Sequence, residues 1–95
     1  MTYEIEFTDA AMDEWRELDN SVRLRLKKAL IKRQEVPRVP KDAMNSMNDC
    51  YKIKIVTPQF RLIYHVDDTS KVITVLIIGP RDTVYLKGID IQLNH

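Results

Sequence analysis

Tyr3, Ile5 and Phe7 alternate with Glu4 and Glu6, the two-residue period of a strand with one buried face. Thr8 or Asp9 then offers a helix N-cap. Beyond it, Ala11, Met12, Trp15 and Leu18 recur at helical spacing while Asp13, Glu14, Arg16 and Glu17 fill the other side, so residues 9–18 read as an amphipathic helix. Asp19, Asn20 and Ser21 interrupt the pattern. Ser21 is placed to cap a second helix, in which Val22, Leu26, Ala29, Leu30 and Arg33 form one stripe. Pro37 stops that helix by about residue 35. The two helices make a hairpin.

Residues 37–49 contain two prolines and several turn formers without a period, and read as an ordered loop whose Met44 and Met47 reach back to the core. The remainder is strand-like. Residues 51–56 and 61–66 alternate, and residues 71–78 are almost wholly β-branched or Leu, the composition of a central strand buried on both faces. Gly79 and Pro80 are expected to end it. The order is strand, two helices and an antiparallel meander. This predicts an α+β fold, with a two-helix hairpin packed on one face of a mainly antiparallel four-stranded sheet.

Alternation also sorts the hairpin's charges. Tyr51, Ile53 and Ile55 share one face with Leu62, Tyr64 and Val66 when both apolar sets turn toward the helices. With a four-residue loop the predicted register sets 55 opposite 62, 56 opposite 61 and 52 opposite 65. Lys52, Lys54, Arg61 and His65 then occupy the outer face. Neighbouring cations repel, so such a face either receives a phosphate-bearing ligand or is a solvated surface that discourages edge pairing.

Composition sharpens this picture through its distribution. The chain has 95 residues, 44% of them hydrophobic, and only two glycines. That is enough for one domain over residues 1–95 and too little for two. The net charge is +1, but the signs are segregated. Residues 1–20 carry a net of −6, residues 21–61 a net of +8 and the rest −1. A basic block of that size attracts polyanions whatever the total. Arg23, Arg25, Lys27, Lys28, Lys32 and Arg33 all lie in the second helix, as a solvated face or as a docking surface for nucleic acid. The acidic N-terminus and the lack of a long apolar run imply a cytoplasmic chain with no membrane span. A lone Cys50 with His65 and His95 gives neither an internal disulfide nor a zinc spacing, and no metal or cofactor is expected.

Just past the buried strand, Arg81 follows Gly79 and Pro80, and Tyr85 follows four residues later. A guanidinium at a strand end can hold a phosphate, and a phenol can stack on a base or relay a proton. A rim salt bridge to Asp82 and a core tyrosine are the structural alternatives.

Together these stretches, EWREL, VRLRLKKAL, PR, DCYKIKI with RLIYHV, and GPR followed by VY, resemble the RelE family of toxins, the ribosome-dependent mRNA interferases of the RelE/ParE superfamily. The resemblance spans nearly the whole chain. It implies an active-site cluster on Lys52, Lys54, Arg61, Arg81 and Tyr85, which would cut mRNA in the ribosomal A site by attack of a ribose 2'-hydroxyl on the adjacent phosphate, without metal. Lys54 and Arg61 would stabilise the transition-state charge, with Lys52 as candidate base, Arg81 beside the leaving oxygen and Tyr85 against the base. It also implies a RelB-like antitoxin, the ribosome and mRNA as partners, with the basic second helix facing ribosomal RNA. The sequence departs from the family pattern in the short interval between Arg81 and Tyr85, in Pro80 where a basic residue is common, and in its low overall charge. Two alternatives remain: a noncatalytic ParE-like inhibitor of DNA gyrase, and a degenerate toxin that only binds its antitoxin.

Overall fold

In a computed structural model, residues 2–80 are described; Arg81 and Tyr85 lie outside them. Strand β1 (Glu4–Phe7) leads into helices α1 (Asp9–Glu17) and α2 (Asn20–Glu35). A single 3-10 turn (Pro40–Asp42) precedes strands β2 (Cys50–Ile55), β3 (Phe60–Asp67) and β4 (Val72–Pro80). The sheet order is β1-β4-β3-β2, with β1 parallel to β4 and the other pairs antiparallel. The predicted α+β architecture is the one formed. No described helix is long and apolar enough to cross a membrane.

Local chemistry explains the helix boundaries. Thr8 accepts a hydrogen bond from the Ala11 amide and so caps α1. The cap of α2 is Asp19, whose carboxylate accepts from the Ser21 amide and hydroxyl. The predicted cap, Ser21, is one of the groups being capped. A carboxylate is the better choice, since it adds a negative charge at the positive end of the helix dipole.

Val22, Leu26 and Leu30 of α2, with Ala11 of α1, are buried against Tyr51, Ile53, Ile55, Leu62, Tyr64, Val66, Ile73, Val75 and Ile78. In β2 and β3 these residues are the inward face expected from alternation. Trp15 closes one end of the core by a tilted contact with Phe7, 5.3 Å between centroids. Burying side chains of this size stabilises by roughly 1.5–3 kcal/mol each.

Three expectations need correction. Met44 and Met47 do not join this core; with Cys50, Ile63, Leu76 and Ile77 they form a second cluster on the opposite face of the sheet. The short polar loop covers that face because Ile63 and Ile77, directly paired between β3 and β4, would otherwise leave apolar surface in water. Strand β4 also does not end at Gly79, which pairs with Arg61 while Pro80 pairs with Phe60. Proline is tolerated there because β1 pairs with β4 only as far as Val75, so that among the described residues Pro80 borders one strand only and lies in an edge-like position.

The hairpin register is the third. The pairs are Ile55 with Phe60, Lys54 with Arg61, Ile53 with Leu62, Lys52 with Ile63, Tyr51 with Tyr64 and Cys50 with His65. The loop is residues 56–59, and every pairing is displaced by two residues from the prediction. Phe60 therefore packs on the core beside Ile55, and Tyr51 stacks on Tyr64 at 5.9 Å. A displacement of two preserves which face each side chain takes, so Arg61 still points outward.

Candidate functional site

The outer face of the hairpin starts from Lys54 and Arg61. The carbonyl of Cys50 accepts from the Met44 amide and that of Lys52 from Arg33, so these groups point away from β3. By alternation Lys54 and Arg61 form a non-hydrogen-bonded pair, the arrangement that brings cross-strand side chains closest, with Cβ atoms roughly 5 Å apart. Lys52 lies on the same face one pleat further along β2. Three cations from two strands thus share one small surface.

Nothing neutralises them among the described residues. The ion pairs there are Arg33 with Asp42 and Arg38 with Asp49 and Asp68, all elsewhere. Arg61 Nε is buried without a hydrogen-bond partner, and Arg61 Nη1 makes only a long contact of 3.5 Å to the Phe60 carbonyl. A buried guanidinium N–H without an acceptor is costly in isolation and is relieved by an anion. Phosphate oxygens fit such a fork.

His65 stands apart from this cluster. It lies opposite Cys50 and Thr74, and Ile63 separates it from Arg61 along β3. Ile63 is 1% exposed beneath the Met47 cluster. The predicted four-cation face is therefore divided: Lys54 and Arg61 pair on one side of Ile63, Lys52 lies level with it, and His65 lies beyond it. Among the described residues no group of three or more histidine, cysteine or acidic side chains has metal-binding geometry. Cys50 is buried, and desolvation together with the Asp49 charge pushes its thiol up to about 11.

The basic residues of α2 divide in the same way. Arg23 donates to the carbonyls of Trp15, Arg16 and Leu18 and to Asn20 Oδ1, satisfying the open end of α1. Arg25 donates to the Thr57 carbonyl at 2.6 Å, holding the hairpin loop. Arg33 pairs with Asp42 and Tyr64. Lys27, Lys28 and Lys32 are exposed, and these three are the members of the helix free to face a polyanion. A cleft of about 710 Å³ beside α2 is lined by Ile5, Phe7, Trp15, Leu24, Leu30 and Ile31 among others, on the helix side of the sheet. Lys52, Lys54 and Arg61 are not among its described lining residues.

A further tie was not visible in the sequence. Arg38 bridges Asp49, Asp68 and the Tyr51 hydroxyl, and Tyr3 donates to Asp68 from the other side. Hydrogen bonds from Tyr3, then Arg38, hold the Asp68 carboxyl below its usual range.

The fold and the sequence both match known toxins. The family described as "ParE toxin of type II toxin-antitoxin system, parDE" matches residues 5–85. The "mRNA interferase toxin RelE" of Escherichia coli K12 is 40% identical over 82 residues, 86% of each chain, and the mRNA interferase RelE of Shigella flexneri matches equally. Among solved structures, a substituted E. coli toxin RelE in the free state superposes with a TM-score of 0.86 at 37% identity, covering 95% of this chain and 97% of that one. The intact E. coli RelBE toxin-antitoxin complex gives a TM-score of 0.81 at 40% identity, covering 82% and 95%. The chain belongs to the RelE/ParE superfamily of toxins.

Proposed function

We propose that this protein is the toxin of a type II toxin-antitoxin pair and a ribosome-dependent endoribonuclease that cleaves mRNA in the ribosomal A site. The observation carrying this reading is the Lys54–Arg61 pair, unneutralised beside Lys52, on a chain 40% identical to a named mRNA interferase.

In this reading Lys52 takes the proton of a ribose 2'-hydroxyl, and the 2'-oxygen bonds to the adjacent phosphorus as the bond to the 5'-oxygen breaks. The 5'-oxygen takes a proton from water as it leaves, so that a 2',3'-cyclic phosphate and a 5'-hydroxyl result. Lys54 and Arg61 bind the nonbridging oxygens, where charge accumulates in the transition state. Arg81 neutralises the leaving oxygen, and Tyr85 stacks on the base. None of these five is a histidine or carboxylate suited to strong general acid–base work at neutral pH, so positioning must come from elsewhere. The ribosome supplies it by holding and bending the mRNA. Lys27, Lys28 and Lys32 contact ribosomal RNA. A RelB-like antitoxin, as in the solved E. coli complex, neutralises the toxin, which acts as one domain in the cytoplasm.

The match to the ParE toxin description favours one second reading, a noncatalytic inhibitor of DNA gyrase. Primer extension on a defined mRNA, with and without ribosomes holding an empty A site, separates the two. Ribosome-dependent cuts within the A-site codon, lost in Lys54→Ala and Arg81→Ala, support the nuclease. Intact mRNA under both conditions rejects it and makes gyrase supercoiling the next assay.

A further inference from the structure

Among the described residues strand β2 is the edge of the sheet, and its outward carbonyls have no further strand to pair with. The Cys50 carbonyl is met by the Met44 amide at 2.9 Å, beside a bridge between Ala43 and Tyr51. The next outward carbonyl, that of Lys52, receives Arg33 Nη1 at 3.4 Å. The same nitrogen donates to the Tyr64 hydroxyl at 2.9 Å, and Nη2 donates to Asp42 at 2.7 Å. Tyr64 in turn donates to the Pro37 carbonyl at 2.6 Å. One planar guanidinium therefore joins α2, the 3-10 turn, β3 and β2.

This pair is largely out of water, with 15% and 12% side-chain exposure for Arg33 and Asp42. An ion pair in such a place stabilises a fold little better than apolar side chains of similar volume, because desolvation offsets the attraction. What apolar residues cannot reproduce is a donor that reaches the edge of β2 at the Lys52 carbonyl, across a long 3.4 Å contact. We propose that Arg33 is a positioning residue for the cleavage reaction. It sets the height of β2 at Lys52 and thereby the spacing of the Lys52 and Lys54 side-chain nitrogens against Arg61. This rests on the nuclease reading above. Misplacement of catalytic groups by about 1 Å can cost up to roughly 10²-fold in rate.

The test compares wild type with Arg33→Lys and with the apolar double variant Arg33→Met/Asp42→Leu. The measurements are thermal unfolding and the kcat and KM of cleavage on programmed ribosomes. The double variant is expected to unfold at or above the wild-type temperature yet to cleave about tenfold more slowly with KM unchanged, and Arg33→Lys to show a similar kcat loss. A role confined to stability would make the rate follow the unfolding temperature instead. Full-rate cleavage by the stable double variant, or a loss expressed only in KM, overturns the proposal. If wild type fails to cleave, or Lys52→Ala and Lys54→Ala both cleave normally, the nuclease assignment itself falls, and the positioning role with it.

Discussion

Lys54 and Arg61 stand opposite each other as a non-hydrogen-bonded pair, and among the described residues no carboxylate is paired with either. Truncating either should lower single-turnover cleavage by roughly 10²–10³-fold, the scale for removing one donor to developing negative charge, with Arg61→Lys recovering part of the loss. Cys50 behaves in the opposite sense. Its thiol is buried and pushed up to about 11, so at pH 8 it should resist a thiol reagent until the chain is unfolded in urea. The outward direction of Lys52, Lys54 and Arg61 was legible in the sequence because alternation in both strands decides it once the loop between them has an even length. Their opposite numbers were not, since partners depend on where Phe60 and Tyr51 pack, and packing is a property of the assembled core. Arg81 and Tyr85 were singled out by their place past the buried strand, and the resemblance gave them roles; both lie outside the described residues.

Helix α2 shows how alike charged residues diverge once an element is docked. Arg33 belongs to the same stripe as Leu26 and Leu30, so its inward position could be read from spacing; its acceptor Asp42, in a loop without period, could not. Arg23 looked like one more exposed cation, and its role at the end of α1 depends on the sharp return between the helices. Replacing Arg23 with Met should destabilise the protein by about 1–2 kcal/mol in urea unfolding, since several carbonyls lose a charged donor at once. Cleavage per folded molecule should be unchanged. The second small core beneath Met44 and Met47 escaped a reading that allowed helices and sheet one interface. Isolated apolar residues in a polar loop gave no hint of which face they would cover.

Over the whole molecule, the acids of the first segment occupy β1 and α1 while the cations occupy α2 and the hairpin, so the protein is electrically two-sided. Replacing Lys27, Lys28 and Lys32 with Gln should weaken ribosome association and flatten its dependence on salt, because fewer counterions are released. The ties among Tyr3, Arg38 and Asp68 join the N-terminal strand to the turn between β3 and β4 across the fold. Asp68 has its carboxyl held below the ordinary value of 3.8, so its contribution is present above that pH and is lost as pH falls through the lower folded value. Unfolding temperature should drop between pH 5 and pH 2, and drop less in Asp68→Asn.

The loop of residues 56–59 also limits how this lineage can change length. Adding or deleting a single residue there would turn Arg61 toward the helices and Leu62 toward water. A change of two would leave both surfaces as they are. A single-residue change could survive only with a bulge, like the one that β4 accommodates at Leu76, where the pairing steps from Ile77 to Val75. Functioning relatives should therefore differ at this turn by even numbers of residues, so a feature of backbone pleating becomes a rule of inheritance.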